Sequence, residues 1–233
     1  MKKYSQPELR FSAFLAFVIA AMVVSVPVGC NKEPDGSLML RPSMASTNDL
    51  IKMALDPDDA DKRREGIVGL SQHPRGLEEK ILRVYEVVAT NFTEDPTVRC
   101  VAIGALGRAG NAKYINVLVM GLGDSNVTIR WESAIGLDNV IGQEAVEPLR
   151  KHAINDLSVD VRACSAKALR HYKNRDIAST LARCMSDREF TVRHQAHAAL
   201  VEISKQDKGF DAQAWEDIVR EMPETQPTTQ PQK

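Results

Sequence analysis

The stretch Asp95-Pro-Thr-Val-Arg-Cys-Val-Ala-Ile-Gly-Ala-Leu106 decides the fold, because its pattern returns near every thirtieth residue. The matching arginines are spaced by 36, 31, 32 and 31 residues, and they are Arg63, Arg99, Arg130, Arg162 and Arg193. A leucine stands seven positions after each arginine, and in the last four units small residues stand three and six positions after it. Self-similarity at a fixed period is the signature of a repeat protein.

Each unit is predicted to contain one helix with a single buried stripe. Counted from the arginine, positions −1, +3, +6, +7 and +10 fall on one side of a helix with about 3.6 residues per turn. Short side chains at +3 and +6 allow a neighbouring helix to approach closely, while the leucine at +7 fills the space between layers. We therefore expect an all-α chain with these positions in its core.

Composition agrees with a globular helical protein and argues against a nucleic-acid partner. The chain has 233 residues, of which 43% are hydrophobic and 26% charged, and its formal net charge is −1. No basic excess is present to neutralise phosphates. Aromatic residues are only 5%, and apolar positions recur at three and four residues rather than at two, which disfavours strands.

The N-terminus differs from the rest of the chain. Lys2, Lys3 and Arg10 precede an apolar run at 11–28, which predicts an export signal. An uncleaved membrane helix and an ordinary secretory signal are the alternatives, and each places the following residues outside the cytoplasm. The run ends on Gly29-Cys30 and resembles the lipobox of bacterial lipoproteins, which implies a lipid on Cys30.

Four segments are predicted from these patterns: a signal peptide at 1–29, a flexible tether at 30–46, a repeat domain at 47–221 and a disordered tail at 222–233. By the same lipoprotein resemblance, Asn31 favours the outer membrane. Three cysteines lie in the predicted helices, namely Cys100, Cys164 and Cys184. Either one pair forms a disulfide, for which Cys164 and Cys184 are the candidates, or all three pack as small apolar side chains.

The repeat units resemble HEAT repeats of the short, PBS-lyase-like type. The resemblance covers roughly 49–204 and is closest across 95–124, where Val98-Arg99, Ala105-Leu106-Gly107 and Gly110-Asn111-Ala112 follow the family pattern. It implies an all-α, right-handed α-α superhelix, a solenoid of about five helix pairs with a C-terminal capping helix.

The same resemblance implies a structural ladder of turn aspartates and repeat arginines between successive units. The residues implied are Asp124, Asp156, Asp187, Arg99, Arg130, Arg162 and Arg193. In the first two units the aspartates are Asp59 and Asp95, which stand four positions before the arginine instead of six. The resemblance therefore leaves the ladder open at that end.

Positions +1, +5 and +8 point away from the buried stripe, so we expect them on the concave surface lined by the inner helices. Trp131 and Ile135 occupy two of these positions in the middle unit, and an exposed apolar patch there would indicate a partner site. The alternative is that curvature places the +1 side chain between neighbouring helices. The predicted protein-binding residues are Trp131, Ile135, Asp138, Lys167, Arg170 and His194.

Enzymatic signals are weak. His194 and His197 can share a helix face and His171 lies one repeat earlier, but no further ligand stands at a recognisable spacing. The sequence has no nucleophile elbow, Walker motif or zinc-protease motif. We predict a membrane-anchored, extracytoplasmic scaffold or adaptor that binds a protein partner and uses no cofactor or metal. The alternative is an enzyme or cofactor-binding protein related to the lyase-type HEAT proteins.

Overall fold

The structure is a computed structural model that describes residues 45–222. This part of the chain contains eleven α-helices, three short 3-10 turns and no strand. The helices are α1 Thr47–Ala54, α2 Ala60–Gln72, α3 Glu79–Thr90, α4 Pro96–Ala109, α5 Ile115–Leu122, α6 Val127–Asn139, α7 Val146–Asn155, α8 Val159–Ala168, α9 Arg175–Cys184, α10 Phe190–Ser204 and α11 Ala212–Glu221. The predicted signal peptide, most of the tether and most of the tail lie outside the described residues.

The helices alternate between two rows. Each outer helix leads through a short turn into an inner helix, so that α2, α4, α6, α8 and α10 form the inner row and the other six form the outer row. Consecutive inner helices pack extensively on one another, whereas consecutive outer helices touch less. The predicted fold class, an all-α superhelix of about five helix pairs with a capping helix, is confirmed.

The core follows the repeat pattern. All five leucines at position +7, from Leu70 to Leu200, are buried. The small residues at +3 and +6 of the last four units are buried, and α4 approaches α6 closely. A Cβ atom added to Gly107 would lie 2.5 Å from the Cα of Gly136, so the two helix backbones are in contact there. A side chain at either glycine would push the inner helices apart.

Polar side chains fix where most inner helices begin. Asp59, Asp95 and Asn126 stand at N-cap positions and accept hydrogen bonds from backbone N–H groups in the first turns of α2, α4 and α6. These bonds satisfy amides that have no partner inside the helix. Gly110 caps the C-terminal end of α4, and its φ of 64° is the left-handed conformation that glycine adopts without strain.

Helix α11 closes the described end of the stack. Trp215, a residue of α11, is fully buried. Its indole Nε1 donates a hydrogen bond to the carbonyl oxygen of Gly209 at 2.8 Å. Ser46, the last residue of the predicted tether, caps the N-terminal end of α1. Met222, the first residue of the predicted tail, packs against the core.

Candidate functional site

An arginine and carboxylate ladder runs along the turns between outer and inner helices. In its middle rung, Nη1 of Arg130 donates to the backbone carbonyl of Asp124 at 2.9 Å, in the turn of its own unit. Its Nε and Nη2 donate to both carboxylate oxygens of Asp156 in the following unit, at 2.9 and 3.2 Å. One guanidinium therefore holds two successive turns together through a charge-assisted fork.

The same geometry recurs in the next unit. Arg162 donates from Nη1 to the carbonyl of Asp156 at 2.9 Å, and from Nε and Nη2 to Asp187 at 2.8 and 3.1 Å. One unit earlier, Nη2 of Arg99 lies 2.8 Å from Oδ2 of Asp124 in an ionic contact. Each turn aspartate thus gives its backbone carbonyl to the arginine of its own unit and its carboxylate to the arginine of the preceding unit.

The first rung uses residues that the sequence pattern did not identify. Nη2 of Arg63 donates to Oε1 of Glu94 at 2.7 Å, and Nη1 donates to the carbonyl of Asp56 at 2.8 Å. Nε of Arg63 also lies 2.7 Å from Oε2 of Glu94, without the geometry of a second hydrogen bond. Asp59 and Asp95, the aspartates singled out from the sequence, cap helices instead. The ladder therefore continues through these units.

Arg193 differs from the other ladder arginines. Its Nη1 donates to the carbonyl oxygens of Asp187 and Arg188 at 2.7 and 2.9 Å, as in the preceding rungs. Its guanidinium carbon lies 5.7 Å from the ring centroid of Phe190. Among residues 45–222, no carboxylate forms an ion pair with it.

Burial and hydrogen bonding compete at the ladder carboxylates. Burial alone would raise the pKa of Asp156, but hydrogen bonds from Arg130, the Ser158 amide and His152 outweigh it and lower the pKa below its ordinary value. Asp187 behaves alike, since burial is opposed by Arg162 and the Glu189 amide, and its pKa is also lowered. Both carboxylates are therefore held in the charged form.

The inner-row surface contains the apolar side chains predicted for partner binding. Trp131 on α6 is 37% exposed and Ile135, one turn later, is half-buried. Burial raises the pKa of the Cys164 thiol on α8, and the neighbouring indole of Trp131 opposes the rise. Trp131 therefore lies between the two expectations, because its indole neighbours the next inner helix while 37% of the residue is exposed to solvent.

Asp138 is less available to a partner than the sequence indicated. Its carboxylate is 3.1 Å from Nζ of Lys167, 3.1 Å from a guanidinium nitrogen of Arg170 and 2.9 Å from Nε2 of His171. The Asp138 side chain is only 10% exposed. These four residues join α6 to α8 and the 3-10 turn after α8, so Asp138 orients the two predicted basic residues beside Trp131.

Glu132 was missed by the pattern of outward positions. A Cβ atom added to Gly104 on α4 would lie 2.8 Å from Oε2 of Glu132 and 3.1 Å from Arg108, so the glycine makes room for this carboxylate. Burial raises the pKa of Glu132, and Arg108 partly opposes the rise. The absence of a side chain at position 104 was visible in the sequence, but the residue reaching over it was not.

His194 lies at the C-terminal end of the inner row, in an aromatic group away from Trp131. Its ring is 5.9 Å from that of Phe190, which in turn lies 5.5 Å from Phe210. His197 on the same helix bonds Asp207 at 2.8 Å. Within residues 45–222, no group of three or more histidine, cysteine, aspartate or glutamate side chains could hold a metal ion.

The three cysteines of the described helices are free thiols. Cys184 is 3% exposed, and burial raises its pKa to about 12. Its Sγ lies 3.5 Å from the carbonyl oxygen of Ala153. The thiols therefore pack as small side chains in this structure.

Two rows of stacked helix pairs, held by an arginine and carboxylate ladder, define an α-helical repeat protein of the HEAT and armadillo architecture. The family model for HEAT repeats matches residues 87–156 of the chain. No curated protein matches the sequence. None of the helices described between residues 45 and 222 has the length and apolar content to cross a membrane.

Solved structures agree on the architecture. The complex of CpcE and CpcF of phycocyanin lyase from Nostoc sp. PCC7120 is 16% identical with a TM-score of 0.60, over 74% of this chain and 68% of that chain. Designed armadillo repeat proteins for modular peptide recognition are 18% identical with a TM-score of 0.53, over 74% of this chain and 88% of theirs. An engineered protein is 18% identical with a TM-score of 0.54, over 68% of this chain and 79% of that protein's chain. At these identities the likeness shows the fold.

Proposed function

We propose that the chain is a non-catalytic scaffold or adaptor, exported and anchored to a bacterial membrane through lipid on Cys30. Its partner is a protein, which docks on the inner-row surface around Trp131. Solenoids of this architecture present long rows of side chains to a partner, and their repeat structure fits a binding role.

The partly exposed Trp131 is the observation that carries the docking site. A tryptophan on a surface with 37% of its area open to solvent can bury a large apolar area when a partner covers it. Ile135 extends this apolar area by one helical turn, and Lys167 and Arg170 border it with positive charge. The arrangement suits an apolar side chain of a partner bordered by polar or acidic groups.

A site-specific photocrosslinker tests the docking site in intact cells. Placed at Ile135, one helical turn from Trp131, it is expected to yield one discrete protein adduct, because the partner covers that position. The matched control is the same crosslinker at Leu157, which is 92% exposed but lies on a turn. Equal adducts at both positions would refute the site.

Trp131→Ala separates binding from folding. In Trp131→Ala, we expect loss of the adduct formed by a crosslinker at Ile135. The melting temperature of Trp131→Ala should stay close to that of the parent, whereas that of Leu137→Ala should fall much further. If Trp131→Ala and Leu137→Ala lowered the melting temperature equally, Trp131 would be a core residue. A cofactor bound stoichiometrically to the purified chain would favour the enzymatic alternative.

The lipid anchor has an independent test. Cells fed a clickable fatty acid are expected to label the parent chain and Cys100→Ser, but not Cys30→Ser. Labelling that persists in Cys30→Ser, or no labelling of the parent, would remove the anchor from the proposal without affecting the docking site.

A further inference from the structure

The last ladder arginine, Arg193, has two hydrogen-bond donors that its equivalents use and it does not. In Arg130 and Arg162, Nη1 donates to turn carbonyls while Nε and Nη2 donate together to one carboxylate. Arg193 makes the same Nη1 contacts at 2.7 and 2.9 Å, but within residues 45–222 its Nε and Nη2 have no partner. Neither of these nitrogens is fully buried, so a ligand can reach both from solvent.

The geometry of the complete rungs defines the ligand that fits this edge of Arg193. The Nε and Nη2 edge of a guanidinium presents two parallel N–H groups, which match the two oxygens of one carboxylate. Arg130 and Arg162 hold Asp156 and Asp187 in this way, and both aspartates lie within a continuous turn. The group that fits Arg193 is therefore the side-chain carboxylate of an aspartate or glutamate inside a chain.

Two exposed phenylalanines lie beside this edge. Phe190, the first residue of α10, is 58% exposed, and its ring centroid is 5.7 Å from the guanidinium carbon of Arg193. Phe210, in the loop before α11, is 48% exposed, and its ring is 5.5 Å from that of Phe190. The two rings and the guanidinium form one surface, which we call the end surface.

The end surface is held in place by contacts within the described chain. The Phe210 ring lies 4.9 Å from the ring of His197, which bonds Asp207 at 2.8 Å. The His197 ring also lies 5.9 Å from that of the buried Trp215. The loop is thus fixed on α10 before a ligand arrives, which lowers the entropic cost of binding.

Another rung shows that an aromatic ring and a carboxylate can share one guanidinium. The guanidinium carbon of Arg99 lies 4.8 Å from the ring centroid of Phe92, while its Nη2 lies 2.8 Å from Oδ2 of Asp124. Phe190 therefore leaves room for a carboxylate at Arg193.

The charge of the end surface favours an acidic ligand. The two carboxylates nearest to it in the sequence already have partners, since Glu189 lies 3.4 Å from Arg188 and Asp207 bonds His197. Within residues 45–222, the positive charge of Arg193 has no carboxylate to balance it. A negatively charged segment is thus complementary to this surface.

We propose that the end surface of Arg193, Phe190 and Phe210 is a second docking surface, separate from the one around Trp131, for an acidic segment of a protein partner. An aspartate or glutamate of that segment binds Nε and Nη2 of Arg193, and an apolar side chain next to it covers the two rings. Covering the rings also excludes water from the ion pair, so the two contacts strengthen each other.

NMR of the full chain in detergent, with isotopically labelled arginine, tests the ionic half of the surface. The probe is acetyl-Leu-Asp-Leu-amide, and the matched control is acetyl-Leu-Asn-Leu-amide, which keeps the shape without the charge. The Nε–H signal of Arg193, identified by its absence in Arg193→Lys, should shift with the aspartate peptide. The asparagine peptide should bind on the order of fivefold more weakly, the upper end for an ion pair at a protein surface. The Arg130 signal should not move, because its donors already hold Asp156.

Phe210→Ala tests the apolar half. It should weaken binding of the aspartate peptide on the order of fivefold, because less apolar area is buried. Phe210→Leu is the second variant if the first fails to fold. Phe92→Ala is the matched control, since Phe92 is an exposed ring beside a ladder arginine that already has its carboxylate, and it should leave binding unchanged. No shift at Arg193, equal binding of the two peptides, or equal effects of the substitutions at Phe210 and Phe92 would overturn the proposal, and none of these outcomes bears on the Trp131 surface.

Discussion

Replacing Asp156 by asparagine removes one charge from the middle of the ladder while preserving side-chain shape. The carboxylate accepts from Nε and Nη2 of Arg130 at 2.9 and 3.2 Å, from the Ser158 amide at 2.9 Å, and contacts Nδ1 of His152 at 2.8 Å. The side chain of Asp156 is 3% exposed and that of Arg130 is 15% exposed. Water can therefore replace little of what is lost.

The expected cost follows from this burial. Removing one partner of a buried ion pair costs about 3–5 kcal/mol, because the other charge remains without compensation. Asparagine keeps one acceptor oxygen but turns an NH₂ group toward donors, so we expect a loss near the lower end, about 3 kcal/mol. Equilibrium unfolding in urea, followed by far-UV circular dichroism, measures it. Asp160→Asn, at an exposed carboxylate in the first turn of α8, is the control and should cost less than about 1 kcal/mol.

The pH dependence has a definite sign. Because the folded-state pKa of Asp156 is lowered, its stabilising contribution is complete above the unfolded-state pKa, about 3.9, and is lost as pH falls through the lower folded-state value. The stabilities of the parent and Asp156→Asn should therefore converge below about pH 4. Equal losses for Asp156→Asn and Asp160→Asn at neutral pH, or a difference that persists in acid, would refute the assignment.

Three further perturbations address the core. Leu137→Ala should cost about 2–5 kcal/mol in urea unfolding, and a cost below 1 kcal/mol would mean that the +7 position is not core. Gly107→Val should lower the melting temperature sharply because its Cβ would lie 2.5 Å from the Gly136 Cα; Gly123→Ala, whose Cβ meets ordinary contacts at 3.5 Å, should not. Cys184 should react with iodoacetamide only after unfolding, because it is buried and its pKa is raised to about 12. Labelling of native Cys184 as fast as that of Cys100 and Cys164 would contradict this.

The repeat pattern was sufficient to predict the helices and their buried faces. The leucine and the two small residues of each unit mark the buried face of the helix, and the small residues also indicate that the next helix packs closely. Leu137 and Gly136 could therefore be assigned to the core without coordinates. The ladder was predicted less completely. In the first two units, a search for a turn aspartate before the arginine selects Asp59 and Asp95 at a shifted offset, because it cannot distinguish a helix cap from a rung.

The candidate surface depended on information that helical periodicity lacks. Periodicity gives the direction of Trp131 and Asp138 but not the depth at which each lies or which neighbours cross from the next helix. Asp138 is held by Lys167, Arg170 and His171, residues about one unit away in sequence. Such contacts depend on the rotation between repeats, which no single unit encodes.

The rotation between successive repeats couples the ladder to the proposed binding surface. Each turn aspartate accepts a backbone amide of its own turn and an arginine from the preceding unit, so it fixes one turn relative to the next. Trp131, on the inner-row surface, directly follows the ladder residue Arg130 in the sequence. A ladder substitution should therefore shift the inner-row surface as well as destabilise the stack. Loss of partner binding in Asp156→Asn would therefore not show that Asp156 contacts the partner. Loss of partner binding in Trp131→Ala, with the stability of the fold unchanged, would show that Trp131 does.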